Sequence, residues 1–180
     1  MDRLIDIYKT TLQSQIMTEL SIKNIHDVPR LEKVVVNIGL GDARGDQKKV
    51  DKISKILMTV TGQKPTMRKA RKSIAGFKLR AGEVVGLSLT LRGKRMYDFI
   101  ERVIRIVLPR VRDFHGIARK SLDGKGNLTI GLKEMSVFPE IRYEDLDVAH
   151  GMELTIVTTA KTDESGEKLL AGFGIPFAKS

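Results

Sequence analysis

The chain has 180 residues, 41% hydrophobic and 5% aromatic, with no cysteine, no tryptophan and a formal net charge of +10. That length and apolar content suit one domain, 1–180, with a real core, and exclude full disorder. Without cysteine there are no disulfides, thiolate metal sites or cysteine nucleophiles. The charge asks for a polyanion, nucleic acid or anionic membrane, unless it serves solubility alone.

The N-terminus, MDRLIDIYKTTLQSQIM, mixes acid and base and lacks the apolar centre of a signal peptide. Leu4, Tyr8, Leu12 and Ile16 recur at helical spacing and predict an N-terminal helix over about 1–20. Val34, Val36, Ile38 and Leu40 alternate on one side of a strand expected from Lys33 to Leu40. Val50, Ile53, Leu57 and Val60 mark a helix, with Gly62 at its stop and Pro65 just beyond. KPTMRKA suits a short strand, and RKSIAGFKLRAG keeps neither period, which predicts a long, flexible loop. In VVGLSLTLRG, Val85, Leu87, Leu89 and Leu91 face one way and Gly86, Ser88, Thr90 and Arg92 the other. Met96, Ile100, Val103 and Val107 form a helical stripe closed by Pro109. DFHGIARKSLDGKGN is turn-rich. NLTIGLKEM and ELTIVTTAKT read as strands, with Leu128, Ile130, Leu132, Leu154 and Ile156 inward, and a last helix is expected over about 164–173.

One apolar and one polar face per strand is the pattern of an antiparallel sheet with helices packed on one face. The expected class is therefore α+β, with an open polar face and a long basic loop over about 69–83. The open face would display Asn37, Ser88, Thr90, Arg92, Thr129 and Thr155, groups suited to ribose hydroxyls and phosphates.

The charge is concentrated. From Lys52 to Gly82 there are nine Lys or Arg residues and no Asp or Glu. Lys64, Arg68, Lys69, Arg71, Lys72, Lys78 and Arg80 are interleaved with Ser73, Gly76 and Phe77. Clustered cations release counterions from a nucleic-acid backbone, glycine lets the chain follow an irregular surface, and Phe77 offers a ring for stacking. A solvated face ordinarily mixes signs.

Other candidates are weaker. GLGDARG, from Gly39 to Gly45, follows a strand and precedes a helix, but it is not GxGxxG and lacks the Lys-Ser/Thr of a P-loop. A plain strand-to-helix turn with glycine at positive φ accounts for it. His26, His115 and His150 have no ligand spacing, so no metal site is expected. FPEIRYEDLD gathers Glu140, Glu144, Asp145 and Asp147, which reads as a solvated acidic edge or a site for a basic protein. Ser73 and Ser136 have no evident base, so nucleophilic catalysis has no support and no enzyme is indicated. The 94–108 helix carries Asp98 and Glu101 and an apolar stripe of ordinary core width, which sets a membrane role aside. No stretch approaches the ~18 apolar residues of a membrane-spanning helix, and a cytoplasmic protein is expected.

VPRLEKVVVNIGLG, TGQKP, ARKSIAGFKLRAG, TLRGKRMYDFIERV, LPRVRDFHG, DGKGN, FPEIRYEDLD and TTAKTDESGEKLL occur in this order. Through them the chain, from about Leu4 to Phe177, resembles bacterial-type large-subunit ribosomal protein five, the 5S rRNA-binding family. The resemblance implies a protein that binds 5S rRNA and helps attach it in the central protuberance, among other large-subunit proteins and rRNA. It implies contact with peptidyl-site tRNA through an extended loop and a bridge to small-subunit protein thirteen. It implies no catalysis, no cofactor and a monomer when free. By resemblance the tRNA loop comprises Arg71, Lys72, Ser73, Lys78 and Arg80, with Lys69 and Phe77 beside them. The 5S surface comprises Asn37, Gln63, Thr90 and Arg92, with Lys64 and Ser88 grouped with them. The bridge is expected near DFHGIARKSLDGKGN and FPEIRYED. A free-standing RNA-binding module, an RNA chaperone or regulator, would share the polar face and basic loop; co-sedimentation with the large subunit separates the two. An enzyme holding a nucleotide at GLGDARG would need tight ATP or GTP binding.

Overall fold

Alternating β-branched residues set the first strand, β1 (Leu31–Gly39), in which Val34, Val36 and Ile38 are buried and Lys33, Val35 and Asn37 are half-buried. The computed structural model describes residues 3–41, 45–141 and 150–178. The other strands are β2 (Thr66–Lys69), β3 (Val84–Leu91), β4 (Leu128–Leu132) and β5 (Met152–Thr158). They form one antiparallel sheet in the order β2-β3-β1-β5-β4. With the helices this is an α+β fold, as the strand patterning requires. The backbone groups into two compact units, one of 1–34, 91–130 and 155–180, the other of 35–90 and 131–154.

The first unit is built on three helices. Helix α1 (residues 4–19) runs through Leu4–Ile7, a π-helical turn at Tyr8–Leu12, and Gln13–Glu19. Its stripe of Leu4, Tyr8, Leu12 and Ile16 is buried throughout, as the spacing predicts. Helix α3 (residues 93–110) carries Met96, Phe99, Ile100, Val103 and Val107 inward and packs on α1. It runs one residue past Pro109 instead of stopping there. Pro109 sits in the last turn with only Arg110 beyond it, so it removes a single backbone bond and leaves little helix to break. The last helix, α4 (Asp163–Gly172), starts with a capping box between Thr162 and Ser165 and has Asp163 and Glu164 in its first turn. Phe173, just past its end, stacks on Tyr8 at 5.8 Å between ring centroids and meets Tyr97 at 6.2 Å. The Tyr8 hydroxyl donates to the Pro29 carbonyl at 2.9 Å.

Asp163 ties the turn at Asp123–Asn127 to α4. Its carboxylate accepts from the N–H groups of Gly124 (3.1 Å) and Gly126 (2.9 Å). A Cβ on Gly166 would lie 2.5 Å from the Gly126 Cα, so helix and turn touch backbone to backbone.

The second unit is held by α2 (Gln47–Thr61). Asp46 caps it by accepting from the N–H groups of Lys48 and Lys49, and Gly62 ends it in the left-handed region at φ 68°. Val50, Ile53, Leu57 and Val60 are buried, as are Val36, Ile38, Leu87, Leu89, Met135 and Phe138 of the same unit. Leu57 is fully buried, which stabilises by about 1.5–3 kcal/mol. Residues 42–44 of GLGDARG, and Glu144, Asp145 and Asp147 of the acidic stretch, lie outside the described residues.

Gly166→Ala should destabilise the protein by about 1–3 kcal/mol, because the neighbour it meets is backbone and cannot rotate away; a urea melt with an unchanged slope and a lowered midpoint would show it. Burial raises the pKa of Tyr8, helped by the nearby Tyr97 and opposed by Arg30, and burial likewise raises Tyr97. A raised folded pKa gives stability that is present below the unfolded value near ~10 and lost as pH rises through the folded value. The thermal midpoint should therefore fall above pH ~10, and fall less in Tyr97→Phe.

Candidate nucleic-acid interface

The basic segment is a hairpin extension of the sheet. β2 pairs with β3 in the register Thr66↔Ser88, Met67↔Leu87, Arg68↔Gly86 and Lys69↔Val84, with an irregularity between Arg68 and Lys69 that bends the strand end. Beyond it the chain continues to pair with itself. Ala70 N–H donates to the Glu83 carbonyl (2.8 Å) and Gly82 N–H to the Ala70 carbonyl (2.9 Å). Ile74 and Leu79 exchange both bonds, at 2.9 and 3.1 Å. A 3₁₀ turn at Ala75–Phe77 closes the tip, with Lys78 left-handed at φ 48°. The long basic loop expected over about 69–83 thus lies between β2 and β3 and carries its own cross-bonds, an isolated bridge and a 3₁₀ turn. The sequence shows no period because the pairing is broken by a bend and closed by a turn with one left-handed residue.

Side chains complete the arm. Ser73 Oγ accepts from Ala81 N–H at 2.9 Å, so this predicted RNA contact is also a latch. Glu83 accepts from Arg80 N–H at 3.1 Å, placing the nearest acid at the arm's base with its carboxylate on the main chain. Residues 71–78 and Arg80 are all exposed. Among the described residues, none of Arg68, Lys69, Arg71, Lys72, Lys78 and Arg80 makes an ion pair. The arm also has an apolar side. Ala70, Ile74, Phe77, Leu79 and Val85 line a cavity of about 600 Å³ beside Arg71 and Lys72. Phe77 is 69% exposed, the most open large apolar side chain among the described residues.

The sheet residues divide between the units. In the second unit Asn37 is half-buried and Lys64 and Thr90 are exposed. Gln63, set just past the Gly62 cap, donates from Nε2 to the Thr90 carbonyl at 3.1 Å and so ties the end of α2 to β3. Ser88 is corrected: it is only 7% exposed and is not displayed to a ligand. It lies mid-strand, between β1 and β2 and paired opposite Thr66 of β2. In the first unit Arg92 pairs with Glu32 at 3.7 Å, both side chains largely open. There Thr129 and Thr155 share a hydroxyl hydrogen bond at 3.2 Å.

Comparison with known proteins decides the family. The family profile described as ribosomal protein L5 matches residues 24–80, and the profile for the C-terminus of the same ribosomal family matches 84–177. The "Large ribosomal subunit protein uL5" of Desulforamulus reducens is 54% identical over 179 residues, 99% of each chain. The proteins of the same name from Carboxydothermus hydrogenoformans (50% identical, 99% of this chain and all of the relative) and Moorella thermoacetica (49%, 98% of each chain) are similar throughout. The chain belongs to the ribosomal protein L5 family. Its members are structural constituents of the cytoplasmic ribosome and not enzymes, which sets the nucleotide-enzyme reading of GLGDARG aside. No helix among the described residues is long and apolar enough to cross a membrane.

Sequence reading missed the pairing of Ile74 with Leu79 and the closing role of Glu83. The signal was present: two apolar residues flanking a short glycine-containing turn are a hairpin mark. Hydrogen exchange tests the fold of the arm. The N–H groups of Ala70, Ile74, Leu79 and Gly82 should exchange more slowly than that of Lys72, which makes no such bond. Ser73→Ala should speed exchange at Ala81 most; equal, unprotected rates along 70–82 would mean the arm is unfolded in solution.

Proposed function

We propose that this protein, like its relatives, is a structural constituent of the large ribosomal subunit, and that it binds 5S rRNA and helps attach it in the central protuberance. Asn37, Gln63, Lys64, Thr90 and Arg92 are the proposed 5S contacts. Lys69, Arg71, Lys72, Phe77, Lys78 and Arg80 reach peptidyl-site tRNA, with Ser73 holding the two sides of the arm together. A bridge to small-subunit protein thirteen is proposed near 113–127 and the stretch from Phe138 onward.

The observation that carries this reading is the arm. Six exposed cations project on a paired backbone, no described acid neutralises them, and an open phenyl ring stands at the tip. Such a surface holds phosphates by charge and a base or sugar by stacking. Hydrogen-bonding groups on the strands supply what charge alone lacks, a means of preferring one RNA shape.

Binding of the purified protein to 5S rRNA, with bulk tRNA as competitor, should retain a preference for 5S as salt rises. If about five cations meet phosphates, log K should fall with log salt at a slope of about −4. Equal, salt-labile binding to both RNAs would favour a free-standing basic module instead. In reconstituted ribosomes, reversing charge at Lys72, Lys78 and Arg80 together should abolish protection of peptidyl-site tRNA by the arm. Unchanged protection would remove the arm from that role.

A further inference from the structure

Asp123–Gly124 is the one Asp-Gly step in the sequence, and there is no Asn-Gly step. Both residues are exposed in the turn before β4. Such a pair is labile in any open chain. Glycine has no Cβ to shield its nitrogen, and an aspartate side chain reaches the backbone that follows it. The Gly124 nitrogen can then attack the Asp123 carboxyl carbon. A C–N bond forms, the nitrogen loses its hydrogen and the carboxyl loses a hydroxyl, so a water leaves and a five-membered imide closes. Water adds back at either imide carbonyl. Opening at one restores aspartate. Opening at the other leaves isoaspartate, whose main chain runs through Cβ and Cγ and is one atom longer.

The folded turn engages both reacting groups. The Gly124 N–H donates to Asp163 Oδ2 at 3.1 Å, and Asp163 Oδ1 accepts from the Gly126 N–H at 2.9 Å. The Asp123 carboxylate accepts from the Lys125 N–H (2.8 Å), the Asn127 N–H (3.1 Å) and the Asn127 side-chain amide (2.7 Å). These bonds, the Asn127 side chain's first, hold the Asp123 carboxyl below its ordinary pKa, and so in the ionised form that does not dehydrate. Asn127 is fixed in turn, since its Oδ1 accepts from the Thr158 N–H of β5 at 3.0 Å. Closing the imide would break the bonds at Asp123 and the bond from Gly124 together.

The docked turn has no room for the product. Gly126 and Gly166 meet backbone to backbone, a Cβ on Gly166 lying 2.5 Å from the Gly126 Cα. Thr158 Oγ1 donates to the Gly126 carbonyl at 2.9 Å and pins the same residue from β5. An extra main-chain atom between Asp123 and Gly124 would push Gly126 off both contacts. It would also carry the carboxylate away from the N–H groups of Lys125 and Asn127.

We propose that Asp123–Gly124 is a latent isoaspartate site held shut by Asp163: it isomerises only in molecules whose turn has come away from α4, and the product keeps the turn from docking again. This chemistry uses none of the proposed RNA contacts and is independent of any bridge at 113–127. The test incubates the full chain at neutral pH, folded and unfolded in guanidinium chloride, and measures isoaspartate at residue 123 by digestion and mass spectrometry with electron-transfer fragmentation. The folded protein should isomerise at least roughly tenfold more slowly, in proportion to the fraction of open turns. Asp163→Ala should accelerate the reaction in the folded protein several-fold, and Lys161→Ala, at an exposed neighbour, should leave it unchanged. If Asp163→Ala is partly unfolded, the wild type alone decides: at low denaturant its isomerisation should rise in step with hydrogen exchange at the Gly124 N–H. Equal rates in folded and unfolded wild type overturn the proposal, and so does isomerisation that does not follow exchange. A folded Asp163→Ala that reacts no faster than wild type overturns it by removing the lock. One that reacts more slowly overturns it in favour of the opposite role, in which the Asp163 carboxylate draws the proton from Gly124 and promotes the attack.

Discussion

The arm is a problem of like charges held together. Two exposed cations ~7 Å apart repel by about 0.6 kcal/mol in water, and less with salt. Six of them on one hairpin add several such terms, and no ion pair among the described residues offsets any. What holds the arm is the main chain. Each of the bonds at Ala70, Ile74, Leu79 and Gly82 contributes about 0.5–1.5 kcal/mol, and the side chains of Ser73 and Glu83 add bonds to backbone N–H groups. Backbone pairing is indifferent to the side chains it carries. The fold can therefore keep every guanidinium and ammonium turned outward for a ligand.

That arrangement depends on a firm base. β2 is only four residues long and lies at the sheet edge, so its pairing with β3 is the arm's sole continuous support within the sheet. Gly86 lets β1 lie close to β3: a Cβ there would come within 2.9 Å of the Ile38 carbonyl oxygen. Gln63 binds the same strand to the end of α2 through the Thr90 carbonyl. A residue inherited by resemblance as an RNA contact thus already has a structural task. Its side-chain oxygen stays available as an acceptor while its amide is engaged.

Much of the fold was legible because burial repeats. The stripe Leu4, Tyr8, Leu12, Ile16 and the alternation Val34, Val36, Ile38, Leu40 are solvent-avoiding patterns that only one element type satisfies, and all eight residues are buried. The site was less legible for the same reason. An exposed hairpin buries little, so RKSIAGFKLRAG carries no hydrophobic period, and its order comes from backbone bonds that any sequence can make. Ser88 failed in the opposite direction. Period two puts it on the polar side of β3, but period alone does not say whether that side is open to solvent at a given residue. Pro109 marked a helix end correctly in kind and early by one residue, since a proline in the last turn forfeits one backbone bond and has almost no helix after it to disrupt.

Preformation bears on how such a protein meets RNA. A disordered basic segment pays for ordering at the moment of binding, roughly 1–2 kcal/mol for each residue fixed. An arm already closed at Ile74–Leu79 and at Ala70–Glu83 has met most of that cost in folding, leaving the long cationic side chains as the main parts still to be ordered. The charge then acts at two ranges. At a distance it draws any polyanion without discrimination. At contact, the paired backbone fixes only where the cationic side chains are anchored, and those anchor points would favour a phosphate path of matching shape. Selectivity of this kind resides in the geometry of the hairpin more than in any one residue, and a change that loosens Ser73 or Glu83 should reduce discrimination between RNAs before it reduces overall affinity.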